Sequence, residues 1–275
     1  MRCARPRSAT ARQGAAVHWG EAEPQLLLRA QANFIEQYRL LARWARDGAV
    51  IDLPGATLIC TGYARDTLNP AIVYGEPNDL PALLARIRAV YSERGLPWCL
   101  RAIGPVAERL AAITVSSRLV PGQPIPEMLL APLDCHAREV AGLEISRVAS
   151  EQELLTFRRT VLLGFEMTMD VAEAITPAAL LAEPDIAYYI GRIDDRAVAT
   201  ASRVTSHRVA GIYNVSTLPS YRGLGIGAAL TARAASDGVD DGCICASLQA
   251  SAMGFGVYQR LGFRHVADYA TFRAR

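Results

Sequence analysis

The residues best suited to chemistry in this chain form one run, Val215-Ser-Thr-Leu-Pro-Ser-Tyr-Arg-Gly-Leu-Gly-Ile-Gly-Ala228. Three glycines in five positions, Gly223, Gly225 and Gly227, let a backbone approach a ligand closely. Where such a loop opens a helix, the unpaired amides of the first turn and the helix dipole both favour an anion. Arg222 adds a cation at the entrance. The chemistry that suits this cradle is the holding of a pyrophosphate. Other phosphate solutions are excluded by composition: a Walker loop, a protein kinase site and a pyridoxal-phosphate Schiff base each require lysine. All 29 basic residues are arginine. Gly223-x-Gly225-x-x-Ala228 also fits the dinucleotide fingerprint, but that fold places an acid roughly 20 residues on, at the end of the next strand. Here Asp240 and Asp241 precede that strand, which ends at Leu248-Gln249, and only about fifty residues follow the loop. A nicotinamide site does not fit.

No other cluster competes. The six cysteines form no C-x-x-C pair, the four histidines are scattered, and Cys135-His136 lacks further ligands nearby, so neither metal nor disulfide is expected. Cys243 and Cys245 are expected on one face of a strand as small core residues. A reducing cytoplasm is the expected compartment.

The elements that must position the loop are well punctuated. In the second half, Leu143–Val148 alternates as a strand, and Ser150 with Glu153 is a capping box before Leu154, Phe157 and Val161. Thr176-Pro177 signals a short helix with threonine at the cap. Residues 186–193 and 197–205 flank an Asp194-Asp195 turn as a hairpin, and a third strand over 209–218 leads into the loop and a helix ended by Gly238. A strand over 243–249, a helix over 253–261 and a strand over 263–272 follow. The first half repeats the later part of this order: a strand over 71–74, a helix capped by Asp79 and ended by Gly95, a strand over 98–103, a helix over 106–118 and a strand over 128–130. Before them come a long amphipathic helix over 25–46 and a strand over 56–61. The proline-rich 121–132 and polar 134–142 mark the boundary.

At the loop the sequence resembles the GCN5-related N-acetyltransferase (GNAT) superfamily, whose Arg/Gln-x-x-Gly-x-Gly/Ala signature is met by Arg222, Gly225 and Gly227. A second match, Tyr258-Gln-Arg-Leu-Gly-Phe263, follows at the family's spacing. The resemblance covers about 143–275. It implies an α/β (α+β) fold of tandem GNAT-like domains, each a mixed, mostly antiparallel twisted sheet flanked by helices. The expected units are a disordered basic tail at 1–20, a degenerate GNAT-like domain at 21–135 and an acetyl-CoA-binding domain at 143–275. In the first copy Gly75-Glu-Pro-Asn-Asp-Leu-Pro81 has one glycine, no arginine and two acids, and Ala107 aligns opposite Tyr258. That copy is expected to bind no CoA and to shape the substrate cleft.

What the resemblance implies for chemistry is direct attack of an amine on the thioester of acetyl-CoA, the cosubstrate. Backbone groups of Val215 and Thr217, with the loop Arg222, Gly223, Leu224, Gly225, Ile226, Gly227 and Ala228, would hold the cofactor. Ser251 sits where the family contacts the pantetheine arm; an N-cap before Met253 is the competing reading. Tyr258 has the chemistry to give the departing thiolate a proton, a transfer uphill by about 2 kcal/mol for an unperturbed tyrosine. Glu166, in the methionine-rich Phe165–Met169, is the candidate base, with a solvated loop glutamate as its alternative. Asn214 lies beside the expected thioester or faces the core. The reading is an N-acetyltransferase acting on an amine of an unidentified small molecule, peptide or protein; the alternative is a catalytically silent acyl-CoA-binding regulator or scaffold.

Charge removes other partners. The formal net charge is +2, but Arg2, Arg5, Arg7 and Arg12 stand among the first sixteen residues with no acid, leaving 25 arginines against 27 acids, or −2. Nucleic acid is not expected, since its binding is driven by phosphate neutralisation. No apolar run approaches the ~20 residues that span a bilayer, and the arginine-rich start lacks a secretory core. A homodimer is left open.

Overall fold

A computed structural model describes residues 19–114 and 117–274. All but two residues of the expected basic tail lie outside these. The first half opens on α1 (Trp19–Trp44), which begins before Pro24 rather than after it. The hairpin of β1 (Ala49–Leu53) and β2 (Ala56–Cys60) turns at Pro54-Gly55, with Gly55 at φ +85°, as proline followed by glycine favours. Then come β3 (Pro70–Val73), α2 (Leu80–Glu93), β4 (Cys99–Ala102), α3 (Pro105–Ala112), β5 (Leu119–Pro121) and β6 (Ile125–Leu130). Asp79 caps α2 as expected, accepting from the Ala82 amide at 2.9 Å. Helix α3 stops short of residue 118, where β-branched Ile113 and Thr114 crowd a helical backbone.

The second half runs β7 (Glu144–Arg147), α4 (Glu151–Phe165), α5 (Met169–Ala174), β8 (Ile186–Ile193), β9 (Arg196–Ser206), β10 (Val209–Thr217), α6 (Ile226–Asp240), β11 (Cys245–Gln249), α7 (Phe255–Arg260) and β12 (Arg264–Ala274). Ser150 caps α4, and the Glu153 carboxylate returns to the Ala149 amide. Three expectations are corrected. Thr176 does not cap a helix; its hydroxyl donates to the Ala172 carbonyl, and a short 3-10 turn, Ala178–Ala182, follows Pro177. Gly238 does not end α6, which continues to Asp240; a Cβ there would lie 2.7 Å from Ala210 Cβ, so this glycine lets the helix touch β10. Cys243 precedes its strand and packs toward α6, whereas Cys245 packs under α1 on the opposite face.

Among the described residues twelve strands form one mixed, mostly antiparallel sheet in the order β1-β2-β3-β4-β12-β6-β11-β10-β9-β8-β7, with β5 pairing β12. The halves expected at 21–135 and 143–275 exchange strands within it. Strand β6 lies between β11 and β12, pairing Ala246 with Leu130 and Tyr269 with Ile125. Strand β12 continues into the first half, where Ala270–Arg273 pairs with β4. One face is covered by α1 and α4, whose Phe34, Phe157 and Val161 pack on Ile59, Ile72, Ile190 and Val204 from both halves. The other face carries α2 and α3 in the first half and α6 and α7 in the second.

Among the described residues each half contains one parallel pair. In the first, β3 and β4 stay paired over four residues, from Pro70–Cys99 to Val73–Ala102. In the second, β10 and β11 pair only from Val209–Cys245 to Gly211–Ser247, although β10 runs on to Thr217. The second half of the sheet therefore opens, and the first half stays shut.

Candidate active site

The opening is built by a bulge. Strand β10 pairs regularly with β9 up to Tyr213, then resumes at Ser216 one residue out of register, so Asn214 and Val215 together face Ala201. Asn214 adopts φ +53°, a conformation asparagine tolerates better than most residues. Its bond network pins the bulge: the Asn214 amide donates to Ser202 Oγ at 2.9 Å, and Thr200 Oγ1 donates to the Asn214 carbonyl at 2.9 Å. Thr200 also bonds Ser216 Oγ at 2.8 Å. Helix α4 comes down on this bulge through Gly164, where a Cβ would meet Ser216 Oγ at 2.6 Å. Asn214 thus serves the strand's shape, while the β10 edge around Val215 and Thr217 faces the gap left by β11.

The glycine loop closes one end of that gap. After the turn Pro219–Tyr221, Gly223 and Gly225 take φ +82° and +87°, values costly for residues with a Cβ. Gly225 is the N-cap of α6, and the first bond back is from the Ala229 amide to the Gly225 carbonyl at 3.0 Å. The amides of Ile226, Gly227 and Ala228 thus open the helix without intrahelical partners. Ile226 and Ala228 direct their side chains at the core, whereas Leu224 is exposed. A Cβ at Gly227 would stand 3.6 Å from Thr217 Oγ1 and 3.8 Å from Val215 Cγ1, so its absence leaves room between helix and strand. Arg222 does not extend freely from the loop: its guanidinium donates to the Thr217 carbonyl at 3.2 Å and the Gly164 carbonyl at 2.9 Å. It ties together the ends of β10 and α4 beside the cradle.

Helix α7 follows β11, the strand on the other side of the gap. Tyr258 is buried, edge-on to Phe263 with ring centroids 6.0 Å apart, and burial pushes its hydroxyl up to about 12. Gly254 makes room for that ring, since a Cβ there would come within 2.8 Å of it. Ser251 accepts the Gly254 amide at 3.1 Å, a capping bond at the start of the α7 turn. Glu166 is exposed at the end of α4, where its own left-handed backbone (φ +54°) terminates the helix. The first half reaches this side of the molecule through Arg65, which donates to Thr168 Oγ1 at 3.0 Å and pairs with Asp170 at 3.8 Å.

Sequence reasoning passed over one titratable group. Glu127, on β6, is fully buried in the middle of the sheet. Its carboxylate accepts Ser247 Oγ at 2.8 Å and Gln249 Nε2 at 2.6 Å, both from β11. Burial lifts it to about 7, partly offset by those two bonds. The segment around it, Pro124-Ile-Pro-Glu-Met-Leu-Leu130, reads as a linker because of its prolines; only the apolar run over 128–130 hints at a strand. Among the described residues no group of three or more metal-binding side chains comes together, and no helix is long and apolar enough to cross a membrane.

Comparison with known proteins agrees with this geometry. Residues 184–265, which hold the opened sheet, the loop and α7, match the acetyltransferase (GNAT) domain family. No curated protein matches the chain. Among solved structures, the chain is similar to a GCN5-related N-acetyltransferase from Kribbella flavida, with TM-score 0.70 and 22% identity over 90% of this chain and 94% of that one. It is also similar to a tandem GNAT protein from the clavulanic acid biosynthesis pathway, with TM-score 0.58 and 14% identity over 94% and 96%. A GCN5-related N-acetyltransferase from Sphaerobacter thermophilus aligns with TM-score 0.59 and 16% identity over 81% of each chain. At these identities the structural likeness speaks for the fold.

Proposed function

We propose that this chain, whose residues 184–265 match the acetyltransferase (GNAT) domain family, is an acetyl-CoA-dependent N-acetyltransferase acting on an amine. The observation that carries the reading is the parting of β10 from β11 beyond Gly211–Ser247, opposite the amides that open α6. The pantetheine arm would lie along the free edge of β10 at Val215 and Thr217, and the pyrophosphate on the amides from Gly223 to Ala228. Arg222 contributes by fixing the cradle's walls, and Ser251 by holding the start of α7. The acceptor would enter from the side covered by α1, α4 and the first half.

The reaction needs a neutral amine, an attack on the thioester carbon and a stabilised thiolate. Tyr258 serves the last need as a neutral hydrogen-bond donor. With its hydroxyl at about 12, full transfer to a free thiolate of about 8.5 would be uphill by about 5 kcal/mol. A hydrogen bond that strengthens as sulfur gains charge avoids that cost. The five described cysteines are free, which suits a reducing compartment such as the cytoplasm.

The test is release of free thiol from acetyl-CoA in the presence of a panel of primary amines, with Gly225→Leu as control for the cradle. The expected result is amine-dependent release that this substitution abolishes together with CoA binding. Saturable CoA binding with no turnover on any amine would overturn the enzyme and support a silent CoA-binding protein.

A further inference from the structure

Glu127 is an anomaly that the cradle does not explain. Strand alternation places it with Leu129, which packs under α1, and opposite Met128 and Leu130, which pack toward α6. It therefore lies on the acceptor side of the sheet. No cation meets it: the titratable groups that feel its charge are Tyr213 on β10, Tyr269 on β12 and Cys245 on β11, all acids. From α1 the nearby groups are Asn33, whose Oδ1 accepts the Tyr213 hydroxyl at 2.7 Å, Tyr38, and Arg29, whose charge reaches Cys245. Arg101 on β4 lies beyond Tyr269, over the rings of Phe34 and Tyr38. The Tyr269 hydroxyl is itself buried without a hydrogen-bond partner. A carboxylate buried with only neutral donors is costly in a strand that apolar residues could fill, and such groups concentrate at functional sites.

Its donors point to the use. Ser247 is the last β11 residue paired with β10; Gln249, two residues on and on the same face, borders the opened gap. The carboxylate thus lies against Gln249, its partner on β11 at the point where that strand has left β10. We propose that Glu127, carried into the second half's sheet by a strand of the first half, is the proton acceptor for the attacking amine. The inference rests on the acetyltransferase reading above. The acceptor's ammonium loses one proton through an intervening water to the Glu127 carboxylate. The freed lone pair forms the C–N bond as the C–S bond breaks, with the electron pair leaving on sulfur, and the second proton lost by the nitrogen passes to that thiolate, giving the amide and the free thiol. Glu127 then returns the proton to solvent. Acting through water, Glu127 sets the protonation of the site and does not touch the reacting carbon.

The experiment is the pH dependence of kcat/KM for acetyl transfer, using acetyl-CoA and whichever amine of the panel the unsubstituted protein acetylates best. The expected profile has an acidic limb near pH 7 in addition to that of the amine. Glu127→Gln removes this limb and lowers the rate at pH 8 by about 100-fold, while the Kd for CoA stays within about twofold. Glu127→Asp restores a limb. Gln249→Met, which removes one bond to the charged form, moves the limb to higher pH. If Glu127→Gln misfolds, as failed CoA binding would reveal, the Asp and Gln249 variants decide alone. A limb near pH 7 that none of these changes shifts would overturn the assignment and leave the acetyltransferase reading standing. Absence of transfer to every amine by the unsubstituted protein would overturn both.

Discussion

At the scale of single residues, Tyr258 and Glu127 show how differently two buried acids announce themselves. Tyr258 stands in a recognisable string, Tyr-Gln-Arg-Leu-Gly-Phe, and the structure adds what the string cannot carry: the ring packed against Phe263 and the upward push of burial. That push keeps the hydroxyl protonated throughout the working range. Tyr258→Phe is expected to lower kcat about 100-fold with little change in CoA affinity, and activity below pH 10 should show no limb from its ionisation. Steady-state kinetics with acetyl-CoA varied checks both; an unchanged kcat would remove the residue from the mechanism. The raised value also bears on stability. Because the neutral form is favoured in the fold, the contribution is intact below pH 10 and is lost as pH rises from 10 through about 12. Glu127 has no motif around it, and its meaning depends on which strands flank it, a long-range pairing that local pattern does not encode.

At the scale of elements, the sequence was legible where hydrophobic period and cap agree, as in α2 with Asp79 and α4 with Ser150. It was less so where tertiary contact overrides a local signal. Gly238 reads as a helix stop, yet it sits inside α6 because β10 needs the space. Competing magnitudes make this testable. Replacing a helical glycine by alanine stabilises a helix by roughly 0.8–1 kcal/mol, whereas overpacking costs roughly 1–3 kcal/mol. With the Cβ contact at 2.7 Å to Ala210 Cβ, overpacking should win, so Gly238→Ala is expected to lower the thermal midpoint by a few degrees. A rise, measured by thermal denaturation, would show that helix and strand can part without loss. Strand β1, which pairs with the expected β2, and helix α5 were missed for another reason: both are short, and a single turn signal such as Pro54-Gly55 is easily read as loop.

For the molecule as a whole, the duplication readable in the order of elements understates how closely the halves are joined. Their chemistry is expected to be unequal. The first half's parallel pair, β3 and β4, remains paired to its last residues, and the segment that follows carries Glu76 and Asp79 toward any incoming phosphate. Calorimetric titration should therefore give one CoA per chain; two sites would overturn the assignment of a single cradle. A fragment of residues 143–275 would lack β6 and leave β11 and β12 without the strand between them. It is expected to be insoluble or to lose the cooperative thermal transition of the full chain, whereas a fragment starting near residue 119 regains that strand.

The exchange of strands also sets an order on synthesis. β6 leaves the ribosome about 140 residues before the β12 strand it must pair with, an interval of roughly 7–28 s at ordinary elongation rates. Throughout that time the nascent first half has no neighbour for β4 on that side, and β6 has none on either until β11 follows it about 120 residues later. Early in its life this chain is a set of apolar edges waiting for a partner not yet translated, a demand on chaperones that neither half would make if it closed on itself.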